Sequence, residues 1–369
     1  MILTKYIDPN VRYGAVLSDY ASSFRKISGV IHENPNRITQ YLDLPAVDFL
    51  LSDNSSSTLE RTQYLEALSY GDPGVLLACP GPSLSGIAMR ELASQKQLDD
   101  FYSILKHKKI RTCFALTEPE KGSDATRMKT RLIKQHNRFF LKGEKCFFGN
   151  GAVAEMGIVF AKIADNPIGM RAILLTPDIL NSVLVEKEVL PQFALRGAQI
   201  AAMRFNQVEI PAENILGGHL SACQNGSLAF IKVFNQFRTG VGALAIGQAQ
   251  GVFDLCLQHY SAFFKSADFS WMNSELSISR QLLHRAAKKV DQNKLDGLSV
   301  SAAKVNASKT AESVIEYCVN QLPFDVLLSE PWILKSYGDV FCWEFMEGTT
   351  HIHRNQISRQ LDQIVKNVI

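Results

Sequence analysis

The run Thr112-Cys113-Phe114-Ala115-Leu116-Thr117-Glu118-Pro119-Glu120-Lys121-Gly122-Ser123-Asp124 is where this chain changes character. An apolar stretch of strand length runs into hydroxyls, a proline and a glycine, the composition of a strand entering a turn. Before it, residues 1–111 read mostly as helices with polar interruptions. After it, as far as Gly217, the apolar segments are short and bounded by Gly, Asn, Asp and Pro, at 139–142, 157–161, 172–175 and 203–208, with 113–116 as the first. Turns at such short intervals favour a small barrel or sandwich over α/β alternation.

Within the first part, 58–70 places Leu59, Tyr64, Leu65 and Leu68 at helical spacing. Gly71-Asp72-Pro73-Gly74 breaks the pattern, Pro80-Gly81-Pro82-Ser83 breaks it again, and 87–105 resumes it. Beyond Gly218 a long apolar pattern, 228–264, contains Gly240, Gly242, Gly247 and Gly251, which permit close helix–helix approach. Further helical patterns follow at 278–290, 302–319 and 332–345, and a last one at 350–368 with Thr350 as its N-cap. Four or five long helices in succession suggest an antiparallel bundle. The expectation is an α+β chain, mainly α: a helical domain at 1–111, a β domain at 112–222 and a helical bundle at 223–369.

The 369 residues, 46% hydrophobic and 20% charged, carry enough apolar material for two or three packed units. A net charge of +3 makes no electrostatic case for nucleic acid or membrane partners. Seven dispersed cysteines, with no CxxC pair, read as buried reduced thiols in a cytosolic protein. The opening MILTKYIDPNVRYG lacks a basic segment followed by an apolar run, so no signal peptide is expected. No stretch reads as the roughly 20 apolar residues of a membrane span, and the expected location is the cytoplasm.

Chemistry concentrates in three segments and one lone arginine. Near the end, Phe345-Met346-Glu347-Gly348-Thr349-Thr350-His351-Ile352-His353-Arg354 sets one carboxylate against a glycine and two hydroxyls where two helical patterns meet. Phe341, Trp343, Phe345 and Met346 make the approach apolar, and partial desolvation raises a carboxylate toward useful basicity, so Glu347 is a candidate base. His351 and His353, two residues apart on a helix, diverge; no metal is expected. The segment 114–124 either lines a polar cofactor, with Thr117 and Ser123 as donors, or is a plain strand and turn. In Lys142-Gly143-Glu144-Lys145-Cys146-Phe147-Phe148-Gly149-Asn150-Gly151, Phe147 either stacks on a planar ring or belongs to the core, and Asn150-Gly151 is most simply a hairpin turn. Arg238, among small and apolar residues, meets a phosphate, a cofactor, the Glu347 carboxylate or a structural partner.

Together these residues resemble the acyl-CoA dehydrogenase superfamily over about 280 residues. The matching segments, in order, are Tyr70-Gly71-Asp72, Pro82-Ser83-Leu84-Ser85-Gly86, Ala115-Leu116-Thr117-Glu118-Pro119 and Gly122-Ser123-Asp124. They continue with Leu141-Lys142-Gly143-Glu144-Lys145, Asn150-Gly151, Leu195-Arg196-Gly197, Phe205 with Val208 and Pro211-Ala212-Glu213-Asn214-Ile215-Leu216-Gly217. Arg238, Gly247 and Glu347-Gly348-Thr349 complete the set. The resemblance implies an N-terminal helical domain, a middle β-barrel domain and a C-terminal four-helix bundle, with FAD held between the last two and by a neighbouring subunit. It implies a homodimer or homotetramer and α,β-dehydrogenation of an acyl thioester, the α proton going to a glutamate and the β hydride to flavin N5.

Glu347 matches the base of the short- and medium-chain members. Isovaleryl-type members carry theirs on the first bundle helix, where this chain has Phe237. By the same resemblance the Glu347 backbone N–H polarises the thioester carbonyl. Phe114, Leu116, Thr117, Ser123, Gly149 and Thr349 fall on flavin-contacting positions and Phe147 on the ring-stacking one, while Ser123, Arg238 and Gly348 are assigned to the substrate.

Three departures stand out. Gly149 occupies a position that is usually a hydroxyl residue facing flavin N5. Phe263-Phe264-Lys265-Ser266-Ala267-Asp268 stands near where the family has Arg-x-x-Phe-Gly, and Leu322-Pro323-Phe324-Asp325 replaces a Gly-Gly-x-Gly element. In the family both elements bind the dinucleotide across the subunit interface. With Cys79-Pro80-Gly81-Pro82-Ser83, these departures resemble the branch acting on acyl groups tethered to carrier proteins in polyketide or peptide biosynthesis. A carrier brings a phosphopantetheine arm without adenosine, so the nucleotide half of a CoA site is dispensable. A flavin oxidase or monooxygenase-like relative is a second reading, since Gly149 opens the N5 face to oxygen. A degenerate member kept for binding is the third.

Overall fold

Helices occupy the chain from Pro9 to Lys108, strands from Thr112 to Ile210, and helices again from Ala222 onward. The computed structural model describes residues 8–53, 56–120, 122–124, 127–166 and 169–368. The first seven residues, on which the expectation of no signal peptide partly rests, lie outside that set. The first helices are α1 (Pro9–Tyr13), α2 (Ala15–Glu33), α3 (Pro45–Leu51), α4 (Thr58–Gly71), α5 (Pro73–Ala78), α6 (Ser83–Leu92) and α7 (Gln95–Lys108). The strands are β1 (Thr112–Ala115), β2 (Arg131–Gln135), β3 (Arg138–Phe148), β4 (Met156–Lys162), β5 (Met170–Leu175), β6 (Val185–Val189) and β7 (Ala201–Ile210), with the short α8 (Pro177–Leu180) between β5 and β6. The last helices are α9 (Ala222–Asn225), α10 (Ser227–His259), α11 (Ser266–Gln292), α12 (Gly297–Gln321), α13 (Phe324–Ser329), α14 (Pro331–Val340) and α15 (Thr350–Val368).

The pattern at 87–105 covers two helices, because Ser94 starts a new one: its hydroxyl accepts the Gln97 N–H while the Gln97 side chain accepts the Ser94 N–H. Strands β2 and β6 have no counterpart among the sequence expectations. Both are short and rich in charge, RLIKQ and VEKEV, so neither shows an apolar run.

The strands form one mixed seven-stranded sheet in the order β1-β4-β2-β3-β7-β6, with β5 added on β4. All seven contribute to a single interior cluster that includes Leu132, Leu141, Val159, Ile173, Val185 and Phe205, as expected of a sheet curled on itself. Alternate residues of β4 face the other way: Ile158 and Phe160 join the helical core while Val159 and Ala161 point inward. The expected Asn150-Gly151 hairpin is corrected. β3 pairs with β2 and β7, and β4 pairs with β1, β2 and β5, so this turn links strands that are not neighbours. Its tethers are tertiary instead, Asn150 N–H to Ala198 O (2.7 Å) and Asn150 Nδ2 to Leu77 O (3.1 Å).

A second correction concerns α10. Sequence reading finds no span-length apolar stretch, yet Leu228–His259 is long and apolar enough to cross a membrane by length and composition. It is a core helix: 89% of its apolar window is buried inside the fold. α10 packs against α4, α11 and α12, and α12 against α15. A Cβ on Gly247 would lie 2.1 Å from Glu66 O of α4, so only a hydrogen there lets the two helices approach this closely. Asp72, from the Tyr70-Gly71-Asp72 motif, is structural. Its carboxylate, fully buried, accepts from Ser28 Oγ (2.5 Å), Trp332 Nε1 (2.9 Å) and Lys335 Nζ (2.8 Å) and caps α5 at Val75 N (2.8 Å), locking the N-terminal helices onto α14. Cys79, Cys113, Cys146, Cys256 and Cys318 are buried free thiols.

Candidate active site

Helix α14 ends at Val340, and a 3-10 turn, Phe341–Glu344, carries the chain into the loop before α15. Glu347 (φ 55°) and Gly348 (φ 105°) both stand in left-handed backbone. A glutamate there costs about 1 kcal/mol or more, a cost that persists only where surroundings over-determine the conformation. Three side chains do so. Arg238 Nε of α10 donates to Glu347 O (3.0 Å). Lys304 Nζ of α12 donates to Glu344 O (3.1 Å) and Gly348 O (2.9 Å). The Glu344 carboxylate accepts the Thr350 N–H (2.8 Å) and the Thr350 hydroxyl.

Thr349 Oγ1 accepts the Ile352 N–H (3.3 Å), so Thr349, rather than the expected Thr350, caps α15. Gly348 is required by space as well as by its φ, since a Cβ would sit 3.1 Å from His353 Nε2. His353 lies buried beneath it with Nδ1 3.0 Å from Ser301 Oγ, while His351 is exposed. Burial, with Arg238 and Lys304 adding to it, drops the His353 imidazole to about 3 and keeps it neutral.

The Glu347 side chain is half-buried and lines a cavity that opens to solvent. Among the described residues nothing donates to its carboxylate. Desolvation pushes it up to about 7, against the opposing pull of Arg238 and Lys304. Lys304 spends its hydrogen bonds on main-chain carbonyls and Arg238 on the Glu347 carbonyl and Asn235 Oδ1 (3.4 Å), so neither forms the ion pair that would return Glu347 to the usual carboxylate range. Lys304, fully buried, is itself lowered to about 8 by desolvation, offset by Glu344 and Glu347.

The cavity encloses about 780 Å³. Phe114, Leu116, Thr117, Ser123, Phe147, Gly149, Arg238, Glu347, Gly348 and Thr349 all line it, so every site residue singled out in the sequence reaches one space. Phe237 lines it too, 8% exposed. Three carboxylates reach the lining, Asp53, Asp124 and Glu347. Asp53 is held low, its burial outweighed by Arg61, Ser56, Tyr64 and Arg90, and Glu347 is the one raised toward neutrality.

The β-sheet wall is shaped by a bulge. Lys145 pairs with Met203 but Phe148 with Ala201, so β3 holds one extra residue. Phe147 takes it up at φ 57° and is 63% exposed, while Phe148 beside it is 6% exposed in the core. Of the two readings of this aromatic pair, core holds for Phe148 and Phe147 is the ring left open to the cavity. The adjoining rim is fixed from beneath: Lys145 Nζ, fully buried, donates to Leu116 O (2.9 Å) and Glu118 Oε1 (2.9 Å), and Cys146 N–H donates to Thr117 O (2.9 Å). Glu118 also accepts Lys129 N (2.6 Å) and Thr130 N (2.9 Å). Ser123 stands exposed at the rim.

Lys304, His353, Lys145 and Glu118 escaped the sequence reading as site-shaping residues. A lone lysine in a face of small residues, Ser301, Ala303, Ala307 and Ser308, is the signal that could have found Lys304. Among the described residues no group of three or more His, Cys, Asp or Glu could hold a metal ion.

Residues 113–208 match the family model described as acyl-CoA dehydrogenase, middle domain, and residues 224–361 the one described as acyl-CoA dehydrogenase, C-terminal domain. Cyclohex-1-ene-1-carbonyl-CoA dehydrogenase of Geobacter metallireducens is 29% identical over 267 residues, covering 68% of this chain and 68% of that protein. Among solved structures, PigA with FAD and proline superposes with a TM-score of 0.80 at 20% identity, covering 94% of this chain and 97% of that one. The prolyl acyl carrier protein oxidase AnaB does so with a TM-score of 0.80 at 18% identity, covering 94% and 99%. Both share the fold.

Proposed function

Since this chain belongs to the acyl-CoA dehydrogenase family, we propose that it dehydrogenates an acyl thioester at the α,β positions with FAD, Glu347 taking the α proton. The observation that carries this reading is a cavity-lining carboxylate held near pH 7 by burial, in a loop that two cations fix through its carbonyls. A base poised near neutrality is present in its reactive form while still driving proton transfer. Glu347 in left-handed backbone turns its own N–H away from helical pairing, and we assign that N–H to the thioester carbonyl, where it stabilises the enolate-like charge that forms as the α proton leaves.

The cavity wall fits the cofactor. An aromatic ring exposed at a bulge offers a stacking face, and Asn150 in the lining keeps a buried Oδ1 with no partner. Phe114, Leu116, Thr117, Ser123, Phe147, Gly149 and Thr349 would hold FAD, which when bound supplies the acceptor for the β hydride. With Phe237 in place of an acid, no carboxylate of the first bundle helix lines the cavity; Asp254 of that helix is paired with Arg12 instead. Apolar walls from Phe230, Phe234 and Phe237 exclude water and preserve the basicity of Glu347.

The carrier-protein thioester is the finer substrate reading. It draws on Cys79-Pro80-Gly81-Pro82-Ser83, all of which line the cavity, and on the likeness to AnaB. On either carrier the protein needs an electron acceptor to turn over. The test is an anaerobic titration of the FAD-loaded protein with acyl-CoA and acyl-pantetheine thioesters. Loss of the flavin's visible absorbance with one of them is the expected result. Protein that stays colourless after reconstitution with FAD, or yellow with every thioester, would overturn the reading.

A further inference from the structure

The wall assigned to the cofactor and the base are held from one helix. Phe147 takes up the β3 bulge, and Gly149 and Asn150 after it line the cavity. Against them lies the loop between β6 and β7, of which Leu195, Ala198 and Ile200 line the same space. Leu195 and Gln199 both stand at φ 43°, on either side of the 3-10 turn Arg196–Ala198. Residues other than glycine are strained in that left-handed region, and the conformation persists only where the surroundings over-determine it.

The Leu195 N–H, which opens this turn, donates to Asp339 Oδ1 of α14 (2.6 Å). Leu195 is 3% exposed and Asp339 is fully buried, so bulk water does not make good a lost acceptor there. Gly197 lies flat on α5, where a Cβ would sit 1.8 Å from Gly74 O. The far end of the turn meets the wall: Ala198 O accepts the Asn150 N–H (2.7 Å), and a Cβ on Gly149 would lie 3.2 Å from the same oxygen. Among the described residues Asp339 is the one side chain that accepts from the main chain at 195–199.

Asp339 Oδ2 accepts from Lys335 Nζ (2.7 Å), which also pairs with Asp72 (2.8 Å). Burial opposes the charge of both carboxylates. It prevails at Asp339, which is raised, whereas Lys335, Ser28 and the Val75 N–H outweigh it at Asp72, which is lowered. Asp72 therefore serves as counter-ion to Lys335, and the contact that Asp339 alone makes is the one to the loop. Beyond Asp339 the chain runs through the turn Phe341–Glu344 to Glu347. Trp343 of that turn is fully buried and donates through Nε1 to Gln248 Oε1 of α10 (2.8 Å). A pinned segment thus joins the residue that holds the wall to the residue that faces the cavity as a base.

We propose that Asp339 is a positioning residue for the flavin: through the Leu195 N–H it fixes the turn at 195–199, and through Ala198 O that turn fixes Gly149 and Asn150 against the cofactor. This rests on the FAD wall assigned above and not on the role of Glu347, so the test uses FAD without a thioester. In a titration of apoprotein followed by flavin fluorescence, Asp339→Ala should bind FAD ~10-fold or more weakly than wild type. The flavin that does bind should show altered visible circular dichroism. Asp339→Asn keeps an acceptor for the Leu195 N–H and should stay within about threefold of wild type. Asp72→Asn disturbs the same buried cation but not the loop; it should lower stability and leave FAD affinity and dichroism unchanged, which separates positioning from general destabilisation.

Wild-type affinity in Asp339→Ala overturns the proposal, as does an equal loss in Asp339→Ala and Asp339→Asn, or the same loss in Asp72→Asn. Hydrogen exchange on the wild-type protein reads the coupling without any variant. If turn and wall move as one unit, FAD slows exchange of the Leu195 and Asn150 amides together; protection of Asn150 with Leu195 unchanged overturns it. Wild-type protein that takes up no FAD would remove the cofactor reading and this proposal with it. The expected FAD pattern in a protein whose flavin no thioester bleaches would leave Asp339 standing and remove the dehydrogenase reading instead.

Discussion

Replacing Glu347 by glutamine keeps the side chain's shape and removes its charge. The same burial that makes the carboxylate basic sets the effect on stability. In the folded protein the group titrates near 7, against 4.5 in the open chain. Below the lower value both states are protonated. Between the two the folded state alone keeps the proton, so stability falls as pH rises, and above about 7 the loss is complete. At about 1.4 kcal/mol per pH unit the interval amounts to at most about 3 kcal/mol, and screening by cavity water reduces it to ~1–2 kcal/mol. The glutamine variant has no proton to lose. Its stability relative to wild type should therefore grow by ~1–2 kcal/mol between about pH 5 and about pH 8. Urea unfolding followed by tryptophan fluorescence at fixed FAD concentration reads this directly. A difference that does not change with pH, or one that shrinks as pH rises, would mean that Glu347 is ion-paired with Arg238 or Lys304 and is not a desolvated base.

Other residues give separate tests. Gly348→Ala sets a Cβ 3.1 Å from His353 Nε2 at φ 105°, and should cost ~1–3 kcal/mol and ~10²-fold in kcat by moving Glu347; unchanged kcat would show that the loop tolerates the shift. Lys145→Met leaves Glu118 buried without its cation and should destabilise by ~3–5 kcal/mol in urea unfolding, with much of the loss recovered by adding Glu118→Gln. Phe147→Ala removes an exposed ring, so it should weaken FAD binding about tenfold in a fluorescence titration while leaving apoprotein stability nearly unchanged; a large stability loss would return Phe147 to the core.

Much of this architecture is legible in the sequence because its signals are local. The turn chemistry that starts at Thr117 marks where helices give way to strands, and helical spacing recurs in every bundle segment. The Glu347-Gly348 junction is legible for the same reason: a carboxylate beside a glycine between two helical patterns is visible without knowing the fold. What stayed hidden depends on contacts between distant segments. Asn150-Gly151 has hairpin composition, but strand pairing is decided by which edges are free, and β3 is already flanked by β2 and β7. Lys304 reads as an ordinary polar position on a helix and His353 as one of two diverging histidines; only packing shows that both support the Glu347 loop. Phe147 and Phe148 are equivalent by type, and the extra residue in β3 decides which of them is exposed.

The central claim is that Glu347 is the base that opens the reaction. Its most direct test is anaerobic stopped-flow reduction of the bound flavin by one acyl thioester in wild type and in Glu347→Gln. The variant should bind FAD with an unchanged spectrum and reduce it ~10²–10⁴-fold more slowly, while the wild-type rate rises with pH to a plateau above about 7. A glutamine variant that bleaches at the wild-type rate would contradict the assignment.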